Sequence, residues 1–263
     1  MTICSRYAPP AGSVLTECRT QMKLYPFALL CGLLPLATIH LCYCWAVYAG
    51  HLPLCFPYIE SCTSISAAGR QAPEFFLFKG LMIPSAVLLS LYWILNALWL
   101  KSLGYPTRRL PLIMVLLAVT ACLGLLLYSV MLGAIGDLYR AQRRIGVILF
   151  FVFTFASQQL LFVGLKKIQG QNKTIKRHRL MLLCISALIL FAAVLAVSIS
   201  AYDEDYYDSL EDAFEWTVTA LLCLFLLVTA FMWKSTYFHI ETAVSQSFNV
   251  TTGSKQFLGK TET

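Results

Sequence analysis

Apolar residues run for bilayer-crossing lengths at six places along the chain, approximately 25–49, 75–100, 110–135, 145–165, 180–201 and 213–233, and short polar segments separate them. A helix needs roughly 20 apolar residues to cross a bilayer, so each run predicts one transmembrane helix. A spanning backbone must also satisfy its own hydrogen bonds, which a helix does alone. The strands of a membrane barrel would alternate polar and apolar positions, and these runs do not. The expected fold is therefore all-α: a polytopic membrane bundle of six transmembrane helices. An N-terminal segment 1–24 precedes the membrane domain 25–233, and a largely disordered tail 234–263 follows it.

Composition removes the main alternative. With 59% hydrophobic and 13% charged residues, a soluble domain would lack the polar surface it needs. The net charge of +7 reads as topology rather than as an anion-binding patch. Arg6, Arg19, Lys23, Lys101, Arg108, Arg109, the cluster Lys166, Lys167, Lys173, Lys176, Arg177 and Arg179, and the tail's Lys234, Lys255 and Lys260 fall on one side. They make up 15 of the 20 Lys and Arg residues. The positive-inside rule then puts both termini in the cytoplasm. The outer side receives the acidic run from Asp203 to Glu215, with seven of the thirteen carboxylates and no Lys or Arg. The first 24 residues lack the compact apolar region of a cleaved secretory leader, so the first helix is expected to act as a signal-anchor. Prolines 26, 35 and 84 fall within predicted helices and are expected to kink them.

Six of the ten cysteines lie in apolar runs and are expected to pack as small hydrophobes. Cys55 and Cys62 differ. They stand seven positions apart in the first outer loop, 51–74, facing an oxidising compartment. A bridge there would stabilise by about 2–3 kcal/mol; two free thiols are the alternative. Pro53, Pro57, Gly69 and Pro73 mark this loop as irregular but ordered.

Few residues suggest chemistry. Intramembrane ionisable groups are functional candidates by default. Here, however, Lys79 is placed to snorkel outward, and His40 reads as a satisfied neutral imidazole. Gln158, Gln159 and Asn96 read as hydrogen bonds between helices. Glu215, beside Trp216 at the outer end of the sixth helix, is the most suggestive position, although a carboxylate there also suits the helix dipole. His51, Glu60 and Glu74 offer an outer-face acid–base group. Arg140, Arg143 and Arg144, in the short loop after the third helix, are expected to associate with the acidic run. The sequence has no nucleophile elbow, zinc-protease pair, P-loop or dinucleotide fingerprint, and the reading leans away from an enzyme. It calls for no cofactor and no metal. The expected partners are membrane lipids and other membrane proteins, not nucleic acid.

Three places resemble the superfamily of damage-regulated autophagy modulators (DRAM) and post-GPI-attachment lipid-remodelling proteins, with its CWH-type N-terminal membrane domain. Phe56-Pro57-Tyr58-Ile59 is similar to the FPYIS signature. The stretch Ser64-Ile65-Ser66-Ala67-Ala68-Gly69, followed by Pro73, resembles the loop of the lipid-remodelling branch. Glu215-Trp216-Thr217 resembles the autophagy-modulator branch. Glu60 stands where the signature has Ser, and Glu74 to Lys79 replaces an Arg-rich helix opening. The resemblance implies a non-enzymatic modulator working through lipid or protein interaction in autophagy, lysosomal or endosomal trafficking, or membrane lipid organisation. The alternative it implies is an enzyme or accessory factor in GPI-anchor remodelling. The implied location is the plasma membrane or an endolysosomal or Golgi membrane. The candidate binding residues are Phe56, Pro57, Tyr58, Glu60, Glu74, Glu215 and Trp216, with Cys55 and Cys62 as the candidate disulfide.

Overall fold

A computed structural model describes residues 2–7, 13–168 and 173–249, with side chains over 22–168 and 173–239. The chain divides into two units, Tyr25–Phe238 and the paired chain ends. The first holds six helices long and apolar enough to span a membrane: α1 (Tyr25–Tyr48), α4 (Glu74–Ser102), α5 (Arg109–Met131), α6 (Asp137–Lys167), α7 (Lys173–Tyr202) and α9 (Glu211–Ser235). Short helices α2 (Pro57–Glu60) and α3 (Ile65–Ala68) lie in the first long connection, and α8 (Glu204–Asp208) in the last. Six alternating spans put the 49–73, 132–136 and 203–210 connections at one end of the bundle, called the loop end below.

The helices outrun their apolar cores. α6 begins at Asp137 and α7 at Lys173, so Arg140, Arg143 and Arg144 stand on helical turns rather than in a loop. Arg and Lys are good helix formers, and Asp137 in the first turn of α6 suits the dipole. α1 and α4 run on through Pro35 and Pro84, and Pro26 sits at the start of α1, where proline is tolerated.

Packing follows membrane rules, in which close approach matters more than apolar character. Gly124 of α5 faces Gly146 of α6, and a Cβ on either would lie 2.7 Å from the other's carbonyl oxygen. Gly32 brings α1 against Leu227 of α9 in the same way. Polar side chains bridge helices. Gln158 donates to Leu222 O (3.1 Å), Gln159 to Ser186 (3.0 Å), and Trp233 Nε1 to Asn96 Oδ1 (3.3 Å). Lys79 anchors as expected, donating to Val130 O at the C-terminal end of α5 (2.7 Å) and lying 4.1 Å over the Phe75 ring. That carbonyl end carries partial negative charge.

The second unit is an antiparallel sheet of β1 (Thr2–Tyr7), β2 (Ser13–Lys23) and β3 (His239–Asn249), in the order β1-β2-β3. Thr2 pairs with Thr20, Ser13 with Asn249 and Lys23 with His239. Hydropathy alone gives no hint of it, since both ends are polar. The alternation Ile240, Thr242, Val244 is a strand signal of the kind β-branched residues carry. Of the tail expected to be largely disordered, 250–263 lies outside the described residues.

Candidate functional site at the loop end

The 49–73 connection is folded against α1 and α9. Tyr43, about one turn before the end of α1, accepts from the Cys55 amide (2.9 Å) and donates to the Cys55 carbonyl (2.8 Å). Cys55 and Cys62 are joined by a disulfide. Pro57 opens α2, where its missing N–H costs nothing, and Glu60 turns back to accept from the Phe56 amide (2.9 Å). Ser64 caps α3 through Ala67 N–H (3.1 Å). Three bonds then fasten the segment to α9. Trp216 Nε1 donates to Thr63 O (2.8 Å), the Ala213 amide donates to Ser61 Oγ (3.2 Å), and the Ile65 amide donates to Glu215 Oε2 (3.1 Å). The Trp216 ring is fully buried, with the rings of His40, Tyr43 and Tyr58 at 5.4, 5.9 and 5.6 Å.

The tautomer of His40 follows from its neighbours. Nδ1 lies 2.7 Å from Leu36 O, which only accepts, so Nδ1 carries the proton. Nε2 shares a hydrogen bond with Tyr58 Oη at 2.9 Å. Both ring nitrogens are thus hydrogen-bonded within the bundle. Burial pushes the Tyr58 phenol above its ordinary range, so it stays neutral.

His51 and Glu74 are hydrogen-bonded, with Nδ1 to Oε1 at 2.8 Å; the Glu74 side chain is 1% exposed and that of His51 28%. Glu74 Oε2 has no partner among the described residues. Of the three outer-face groups His51, Glu60 and Glu74, the structure therefore brings two together. His51→Ala leaves a carboxylate buried and unpaired, and is expected to cost about 1–3 kcal/mol. Adding Glu74→Gln to that variant should return more than half of the loss in thermal unfolding of the detergent-purified chain. An unchanged melting temperature in the single variant would show that the pair does not hold the loop.

A cleft lies beneath this clamp, between α1, α4, α5, α6 and α9. Apolar side chains line most of it, Met82, Trp93, Phe150, Phe151, Cys223 and Leu226 among them. Its polar groups are few: Glu215, Thr219, Thr154 and Tyr128. The interior leaves ≈ 50 Å³ for the centres of water-sized groups, several times the roughly 10–15 Å³ that a single water occupies on that measure. Two polar atoms here lack a protein partner. Tyr128 Oη is buried and unbonded. Glu215 bonds Ile65 through Oε2, and no described residue bonds its Oε1.

The family model described as "Frag1/DRAM/Sfk1/Cwh43P N-terminal domain" matches residues 23–235, nearly the whole membrane unit. The chain belongs to this family. No curated protein and no solved structure matches it.

In this Frag1/DRAM-type chain the signature residues divide between surface and interior. Phe56 and Glu60 are exposed, Tyr58 is half-buried, and Pro57, Glu74 and Trp216 are buried. Trp216 is thus the anchor on which the loop is built, and Glu215, one position before it, faces the cleft. The expected association of the arginines with the acidic run is not formed. Among the described residues, none of Arg140, Arg143 and Arg144 pairs with a carboxylate. Arg143 instead donates to Met131 O (3.2 Å) and Ala134 O (2.8 Å), covering the free carbonyls at the end of α5. Backbone acceptors lie within its reach and need no second loop. Sequence reasoning missed Tyr128, Thr219 and Thr154. One hydroxyl inside a long apolar helix resembles any other until the neighbouring helices are placed.

Proposed function

We propose that this protein is a non-enzymatic membrane modulator that works by binding a lipid in the intramembrane cleft, with the loop end as the surface offered to other membrane proteins. The observation that carries this reading is the cleft itself: an apolar channel inside a lipid-embedded bundle, with its few hydrogen-bonding groups gathered mainly toward one end. Binding sites of this kind are mostly apolar with a small number of placed polar groups. The reading puts both termini in the cytosol, which the excess of Lys and Arg on that side supports. The Cys55–Cys62 bond at the loop end supports it, because disulfides persist on the oxidising side. The processes it would serve are autophagy, lysosomal or endosomal trafficking, or membrane lipid organisation, from the plasma membrane or an endolysosomal or Golgi membrane.

One observation favours a second reading, remodelling of lipid anchors. The His51–Glu74 pair orients an imidazole at the bilayer surface, as a general base requires. Complementation of cells lacking the protein separates the two. Cys223→Phe, which fills the cleft, should reach its membrane normally but fail to restore the lipid composition and autophagic flux of the parent cells, whereas His51→Gln should restore both. If His51→Gln is folded and correctly located yet inactive, while Cys223→Phe is active, the enzyme reading replaces the first.

A further inference from the structure

The inference rests on the lipid-binding reading above and specifies the ligand. We propose that the cleft takes the hydrocarbon chain of a neutral lipid bearing a free hydroxyl, and that this hydroxyl sits between Glu215 and Tyr128.

The polar end sets the head group. Tyr128 lies about one turn before the end of α5, its residue is 6% exposed, and its Oη is buried without a partner. An unmade bond of this kind costs about 1–3 kcal/mol in a folded protein. Glu215 presents a second open position through Oε1, since Oε2 is held by the Ile65 amide at 3.1 Å. A phenol donates and a carboxylate oxygen accepts. The ligand atom that satisfies both is a hydroxyl, which accepts from Tyr128 while donating to Glu215. Phosphate and carboxylate heads bring only acceptors and a like charge beside Glu215, so the site disfavours them. Thr219, one turn further along α9, has its hydroxyl returned to Glu215 O (2.7 Å) and does not compete.

The apolar part sets the tail. From Glu215 to Leu226 the lining of α9 runs eleven positions, about 16 Å at the helical rise. Along that length only ≈ 50 Å³ is open to the centres of water-sized groups, so the passage between the lining side chains is a narrow thread. A flexible chain follows such a thread. A fused-ring sterol body does not, without displacing Phe150, Phe151 or Trp93. Monoacylglycerol, diacylglycerol and ceramide share the required chemistry, an uncharged hydroxylated head with a chain free to enter the cleft.

The test uses the full-length protein in nanodiscs with photoactivatable probes: a diacylglycerol and a ceramide carrying a diazirine in the chain, the same lipids with the hydroxyl methylated, and a diazirine sterol. The hydroxylated chains should label peptides containing Met82, Phe150, Phe151 or Cys223. Tyr128→Phe and Glu215→Gln should each lower capture about ten-fold and leave the methylated probes unaffected. The phenol has no protein partner, so Tyr128→Phe should keep or raise the melting temperature, which separates a ligand-binding role from a structural one. Preferential labelling of the cleft by the sterol would overturn the chain assignment. Equal capture of free and methylated chains, unchanged in Tyr128→Phe, would overturn the hydroxyl site while leaving lipid binding intact. No labelling of the cleft by any probe would overturn both.

Discussion

Trp216→Ala should release the 49–73 segment from the bundle and cost the protein about 3–5 kcal/mol, the range for truncating a fully buried Trp. Three aromatic rings lose the surface they pack on, and Thr63 O loses its donor at 2.8 Å. The damage should be local in character. The Tyr43 clamp and the Cys55–Cys62 bond remain, so the loop stays tethered to α1 while detaching from α9. Trp216→Phe keeps most of the ring contacts and loses only the indole N–H, worth about 1 kcal/mol. Limited proteolysis within 56–72 and thermal unfolding in detergent should rank the variants wild type, Phe, Ala. Equal protection of the loop in all three would mean that Trp216 does not hold it. Because Glu215 and Trp216 are adjacent, Trp216→Ala should also disturb the Ile65–Glu215 bond, and with it the polar end of the cleft.

Gly146→Leu should prevent recovery of a folded protein. A Cβ at this position meets Gly124 O at 2.7 Å and Tyr128 N at 2.8 Å. Both are backbone atoms, so no rotamer change relieves the clash and the two helices must separate. Gly146→Ala, with one added methyl, should cost about 1–3 kcal/mol as overpacking. Gly80 provides the contrast within the same molecule. It lies in α4, and a Cβ added there would meet nothing within 4 Å. Ala at that position should be neutral or stabilising by up to about 1 kcal/mol through helix propensity. Fluorescence-detected size exclusion of tagged variants reads the series. A folded, monodisperse Gly146→Leu peak would show that α5 and α6 do not cross at these glycines.

These two residues mark how far the chain itself can be read. Trp216 was legible as a candidate because it sits at the end of an apolar run next to a carboxylate, in a motif with family resemblance. Its role was not. Sequence suggests a contact surface, whereas the folded chain makes it a buried post. The reason is that three aromatic partners come from α1 and α2, more than 150 positions away in the case of Tyr58. Gly146 was not legible at all, since a glycine in an apolar helix has the same local signal whether it faces lipid or a neighbour. The arginines of α6 show the opposite error. Their charge suggested the acidic run as partner, and nearer backbone carbonyls took Arg143 first.

The sequence by itself determined the number of spans, their approximate limits, the membrane environment and the candidate bridge between Cys55 and Cys62. Length, apolar character and local spacing set these, and each is a property of neighbouring residues. Tertiary structure decided which face of each helix packs, where the cleft opens, and which hydroxyl and which carboxylate oxygen are left without a partner. In water an amphipathic stripe announces the buried face of a helix. In lipid the outer face is as apolar as the core, so that signal vanishes and only the placed neighbours reveal it.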